Sequence, residues 1–134
     1  MSDKLVAFVC LHGSAKSLIA AEYLNLRARE RGLRLHATTS GPEPDAEVPA
    51  NVIAGLQGRN IDARRLNPQR VSAEGLADAV HIVSFGCDLA GMAPPAAAIE
   101  RWDDCPAVSE DFDVAWDFIT ARVDKVIHRI GESP

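Results

Sequence analysis

The stretch that decides the reading is Phe8–Leu24, FVCLHGSAKSLIAAEYL. Val6 to Val9 is apolar and β-favouring, so it reads as a buried strand, and it runs directly into Cys10. Five residues separate Cys10 from Lys16, and Ser17 follows. Leu18, Ala21, Leu24 and Ala28 then recur at helical spacing until Gly32 stops the pattern, which predicts a helix over 18–31. In a strand–loop–helix unit several backbone N–H groups can turn inward. The helix N-terminus adds about half a positive charge. Such a nest holds a tetrahedral oxyanion. It also lowers the pKa of a thiol in its mouth, because the thiolate is the form those dipoles stabilise. Lys16 brings a full positive charge, and the Ser17 hydroxyl stands where it can cap the helix or donate to the Cys10 sulfur. The loop therefore holds the elements of a cysteine nucleophile attacking a phosphorus or arsenic oxyanion. Equally, a cysteine that ends a core strand is ordinarily a packing residue. The spacing alone leaves both readings open.

The remainder of the chain places this unit in a fold. Leu33 to Thr39 alternates apolar and polar and predicts a second strand. SGPEPDAEVP, residues 40–49, is a loop, and a short helix carrying Val52, Ile53 and Leu56 follows Pro49 and ends near Gly58. Ser72 reads as the N-cap of another short helix. Ala79 to Phe85 predicts a third strand and Ala97 to Trp102 a fourth. From Ser109 to Ile130 the residues Phe112, Ala115, Trp116, Ile119, Val123, Val126, Ile127 and Ile130 form one apolar stripe of a long helix. Glu110 and Asp111 at its start, and Lys125, His128 and Arg129 at its end, suit the helix dipole. Strands alternating with helices predict an α/β protein, a three-layer α/β/α sandwich on a four-stranded parallel sheet. Ligands bind such folds beyond the carboxyl ends of the strands. Cys10, Ser40, Gly86–Cys87 and Asp103–Asp104 all follow predicted strands and are expected to share one rim.

At 134 residues the chain reads as one domain, 1–134. Its net charge of −5 argues against nucleic acid or an anionic membrane as the main partner, while leaving room for a local anion pocket. No signal peptide and no membrane span is expected. Three cysteines, Cys10, Cys87 and Cys105, without C-x-x-C spacing point to reduced cytoplasmic thiols. No zinc-ligand pattern is present, and no metal or organic cofactor is expected.

Strand, C-x5-basic-Ser, helix, near the start of a chain this long, resembles the low-molecular-weight protein tyrosine phosphatase superfamily, which includes the thioredoxin-coupled arsenate reductases. The likeness continues through TTSGPEPDAEVPANVIAGLQGRNIDARRLNPQRVS, ADAVHIVSFGCD and ERWDDCPAVSEDFDVAWDFITARVDKVI, in the family's order. The resemblance implies a phosphatase-like fold with Cys10 as nucleophile. Leu11, His12, Gly13, Ser14, Ala15, Lys16 and Ser17 would form its oxyanion loop, with Ser17 tuning the thiolate. It implies a general acid in the loop before the last helix, Asp104 with Asp103 as the other choice. In the reductase branch it implies Cys87 as resolving cysteine and a thioredoxin-like reductant. The implied substrate is a phosphate monoester or arsenate.

The departures from the family pattern matter as much. Lysine stands at position 16, where the family has an arginine whose planar fork matches two oxygens. Gly13 replaces an asparagine. His12 replaces a small residue and reads either as a titratable donor near the anion or as an exposed loop histidine. The family's Asp-Pro has become Asp-x-Pro. Ala15 stands where the reductases often carry a cysteine, and a second downstream cysteine is missing after Cys87, which leaves Cys105 as the only surrogate partner. The paired tyrosines of a phosphotyrosine-selective mouth are absent. Tyr23, Trp102 and Trp116 read as packing residues, and His36 and His81 as structural. Three functions fit: a cysteine-dependent enzyme, a degenerate relative that binds an oxyanion with little turnover, and a thiol redox sensor using Cys10 and Cys87.

Overall fold

The computed structural model describes residues 3–89 and 91–131. Four strands, β1 (Lys4–Val9), β2 (Leu35–Ser40), β3 (Ala79–Ser84) and β4 (Ala98–Arg101), form one parallel sheet in the order β2-β1-β3-β4. The helices are α1 (Lys16–Arg31), α2 (Ala50–Gln57), α3 (Ala73–Leu76) and α4 (Phe112–Gly131). The sheet and helix content agree with the α/β architecture expected from the sequence.

Alternation along β1 divides the molecule into two cores. Val6, Phe8 and Cys10 join the larger core with Leu18, Ile19 and Leu24 of α1, Val52 and Leu56 of α2, and Ala115, Ile119 and Val123 of α4. Ala7 and Val9 join the smaller core with Val71, Leu76, Ile82, Cys87 and Leu89. Successive strand side chains point to opposite faces, so this partition follows from sequence parity. Trp102, just beyond β4, is fully buried and lies edge-on to Phe85 with centroids 5.4 Å apart.

The chain steps from β1 through α1 to β2, then crosses back to lay β3 on the other side of β1. The sheet therefore changes direction between β1 and β3, and in open α/β sheets the crevice at such a point is the usual ligand site. Cys10 follows β1 there. Element bounds differ from those expected by one to three residues, as at α1, β2 and α4. Helix α1 begins at Lys16, so Lys16 and Ser17 belong to its first turn and not to the preceding loop. Strand β2 runs from Leu35 to Ser40. Helix α4 starts at Phe112, where the Asp111 carboxylate accepts from the Val114 N–H at 3.2 Å and caps the helix, which leaves Ser109 in the preceding loop.

Candidate active site

The Cys10–Ser17 segment is held against the end of β2. The Cys10 N–H donates to the Ser40 carbonyl at 3.2 Å, and the Gly13 N–H turns back to the Cys10 carbonyl at 3.3 Å. Gly13 has φ +61, a conformation that glycine adopts without penalty. A Cβ there would also meet Ser40 C at 2.8 Å. Gly41 is pressed from the other side: its Cβ would stand 2.3 Å from the Cys10 carbonyl oxygen and 2.6 Å from Gly13 N. Two glycines thus allow two backbone segments to touch.

Cys10 is buried, with its sulfur 2.9 Å from Ser17 Oγ. Ser17 Oγ lies 2.6 Å from Thr39 Oγ1, which in turn reaches the Gly13 carbonyl at 3.3 Å. Each hydroxyl carries one proton, so the chain has two consistent directions. With a neutral thiol, Cys10 donates to Ser17, Ser17 to Thr39, and Thr39 to Gly13. With a thiolate, Thr39 donates to Ser17 and Ser17 to the sulfur. Of the two positions expected for the Ser17 hydroxyl, capping α1 or facing the Cys10 sulfur, the structure has the second. Thr39 was not anticipated; its only sequence signal is its position at the end of a strand paired with β1, opposite Phe8.

Helix α1 begins with no side-chain cap and no acidic residue in its first turn, and its first i→i−4 bond runs from Ile19 N to Ala15 O. The amides of residues 16–18 are therefore without intrahelical acceptors, the arrangement that favours an anion. In front of this terminus is an open cavity of about 360 Å³. Cys10, Leu11, His12, Ser14, Ala15 and Lys16 form its floor. Its walls come from Asp45, from Pro49, Asn51 and Val52 at the start of α2, from Phe85, and from Ala107–Ser109. The wall residues were not anticipated, since they come from loops whose packing no local pattern encodes. Asp45 accepts from Ser14 Oγ at 2.5 Å, and its other oxygen is 3.7 Å from His12 Nδ1. His12 Nδ1 lies 2.8 Å from the Glu43 carbonyl.

The expected single rim divides. Neither Asp103 nor Asp104 lines the cavity. Arg122 of α4 holds Asp104 through two bonds of 3.0 and 2.8 Å, and this pairing keeps its carboxyl below the ordinary range. Asp103 pairs with Arg101 at 3.2 Å. An acid clamped by arginine is held in the ionised form, which runs against the general-acid role expected of Asp104. The residue directly before Pro106 is Cys105, so a thiol stands where the family pattern Asp-Pro would place an aspartate, and Asp104 lies one position earlier. Cys105 is buried in the same core as Cys10. Burial pushes its thiol up to about 11 despite the opposing charges of Lys16 and Arg122. Cys87 lies in the other core, and its thiol is raised by burial and then by the charge of Cys10. Its segment is held by Ser84, whose Oγ accepts from the Cys87 N–H at 2.9 Å.

No protein-family model matches the chain, and no curated protein matches it by sequence. Solved structures do. YfkJ from Bacillus subtilis superposes with a TM-score of 0.86 at 20% identity, over 98% of this chain and 97% of that one. A low-molecular-weight protein tyrosine phosphatase from T. tengcongensis gives 0.84 at 16% identity, over 96% and 100%. The fold is that of the low-molecular-weight phosphatases. A thioredoxin-dependent arsenate reductase from Corynebacterium glutamicum shares it, with a TM-score of 0.80 at 19% identity over 99% of this chain. The present chain spans 64% of that longer one. The phosphatase-like fold was thus legible in the sequence. Among the described residues no helix is long and apolar enough to cross a membrane.

Proposed function

We propose that the chain is a cysteine-dependent enzyme that attacks a small tetrahedral oxyanion ester, a phosphate monoester in the first instance. One observation carries this reading: the Cys10 sulfur sits 2.9 Å from Ser17 Oγ, in a cavity floored by the uncapped start of α1. The thiolate attacks phosphorus, the helix amides and Lys16 balance the charge on the oxygens, and Ser17 stabilises the sulfur when it departs again. The fold supports the reading, because structures with this fold include a phosphatase and an arsenate reductase in the phosphate-binding state. Three free cysteines suit a reducing, cytoplasmic setting.

Hydrolysis of an aryl phosphate by wild type, Cys10→Ser and Lys16→Arg tests it. Cys10→Ser should abolish turnover. Lys16→Arg should raise it, since a bidentate contact to the transition state is worth about 2–4 kcal/mol by analogy with an oxyanion donor. Turnover that survives Cys10→Ser would sink the proposal.

A second reading is an oxyanion-binding protein with little turnover. It is favoured by Asp104, tied to Arg122 away from the cavity, and by a lysine at position 16. Phosphate binding without any Cys10-dependent hydrolysis would select it. Arsenate reduction is the weaker branch, because the expected resolving thiol, Cys87, packs in the core opposite that of Cys10. Thioredoxin-coupled arsenate turnover lost in Cys87→Ser would restore it.

A further inference from the structure

With Asp104 clamped by Arg122 and a thiol before Pro106, the cavity needs another source of protons. Its lining supplies four titratable side chains: Cys10, His12, Lys16 and Asp45. We infer that His12, in its imidazolium form, binds the oxyanion and donates the proton to the leaving oxygen. This rests on the Cys10 reading above.

The geometry fixes which nitrogen acts. A carbonyl oxygen only accepts, so the 2.8 Å contact with the Glu43 carbonyl makes His12 Nδ1 a donor in every protonation state. His12 lines the cavity, and with Nδ1 engaged Nε2 is the ring nitrogen that remains for an occupant. On a neutral ring Nε2 is a lone pair and repels an oxyanion; on the cation it is an N–H donor. Anion binding at His12 is therefore coupled to uptake of one proton. Charge points the same way. Among the side chains lining the cavity Lys16 and Asp45 are opposite in sign, and a Cys10 thiolate adds a negative charge that opposes the pull of the helix amides on a dianion. A protonated His12 offsets that charge, and Asp45 lies 3.7 Å from its Nδ1. On its own segment Cys10 and Lys16 line the same cavity as His12; from the segment after β2 His12 meets Glu43, through its carbonyl, and Asp45. The other walls, Pro49–Val52, Phe85 and Ala107–Ser109, carry no titratable group. Imidazole also changes charge near neutral pH, where a proton carrier is most effective.

The step balances. The Cys10 thiolate forms an S–P bond, the P–O bond to the leaving group breaks, and its electron pair stays on oxygen and takes the proton from Nε2. Neutral His12 then accepts a proton from the water that cleaves the S–P bond. Inorganic phosphate and the thiolate are released and the imidazolium is restored.

Two measurements test this. The first is sulfate affinity, because sulfate stays a dianion across the neutral range. In Cys10→Ser, which removes the thiol's own ionisation, affinity should be about tenfold lower in mildly alkaline than in mildly acidic buffer. The fall should vanish in Cys10→Ser/His12→Gln. A flat profile in the single variant, or an unchanged slope in the double variant, would overturn the inference about His12. No sulfate binding at any pH would overturn the oxyanion pocket itself. The second is the leaving group. His12→Gln should slow hydrolysis of an alkyl phosphate at least about tenfold more than that of p-nitrophenyl phosphate, whose leaving group needs no proton. Equal losses on both substrates would refute proton donation. If wild type shows no Cys10-dependent turnover, the enzymatic reading fails and proton donation falls with it, while the sulfate profile still decides whether His12 binds the anion as a cation.

Discussion

At the scale of single residues the site rests on a short relay, Cys10–Ser17–Thr39–Gly13, whose donors reverse when the thiol ionises. Thr39→Val removes the group that donates to Ser17 in the thiolate state. Turnover should drop about tenfold, the worth of one hydrogen bond, with KM little changed. Equal losses in kcat and affinity would show a role in binding instead. Asp104→Asn should cost less than about tenfold in kcat/KM, well short of the roughly hundredfold that a lost general acid removes. Cys105, with its thiol at about 11, should resist iodoacetamide at neutral pH and react only as pH approaches that value, which mass mapping of the alkylated peptides would show. The sequence singled out Cys10, Lys16 and Ser17, because their spacing is local. It did not reveal Thr39 or Asp45, which reach the site from the end of β2 and the loop beyond it. It also favoured Asp104, because residue type and loop position do not show that an arginine on α4 already holds the carboxylate.

At the scale of elements, the edge of the sheet is fastened by Glu100 on β4. Its carboxylate meets His81 of β3 at 3.0 Å and accepts from the Trp102 indole at 2.6 Å and from Arg129 of α4 at 2.8 Å. Burial alone would raise the Glu100 carboxyl, but these three hydrogen bonds outweigh it and lower it. A depressed carboxyl contributes stability above its unfolded pKa, and that stability is lost as pH falls through the folded value. Wild type should therefore weaken on acidification, and Glu100→Gln should flatten that part of the acid limb in a denaturation series across pH. Glu100→Ala should cost about 2 kcal/mol at neutral pH, because it strips the partners from a buried indole and a buried imidazole. Element types followed from periodicity and caps. Their ends did not: the apolar period of α1 starts at Leu18, but the first helical turn is Lys16 and Ser17, residues without apolar periodicity.

At the scale of the whole molecule, the sheet order β2-β1-β3-β4 brings the ends of β1 and β3 and the segment before α4 around one cavity. Face parity along β1 settles which cysteine shares the Cys10 core: Cys105 does, and Cys87 does not. Strand order was not legible, since alternation predicts a parallel sheet but not the sequence of its strands. The close approach of Gly41 to the Cys10 carbonyl is a tertiary fact of the same kind. Gly41→Ala should separate β2 from the Cys10 segment and lower stability by at least about 2 kcal/mol, measured by denaturant unfolding. The proposed function requires Cys10 to become covalently phosphorylated in this cavity. Rapid acid quench of wild type turning over an aryl phosphate, followed by peptide mass spectrometry, shows whether it does. Phosphate on the Cys10 peptide, absent from Cys10→Ser, is the predicted result; steady hydrolysis with no phosphate on that peptide would contradict it.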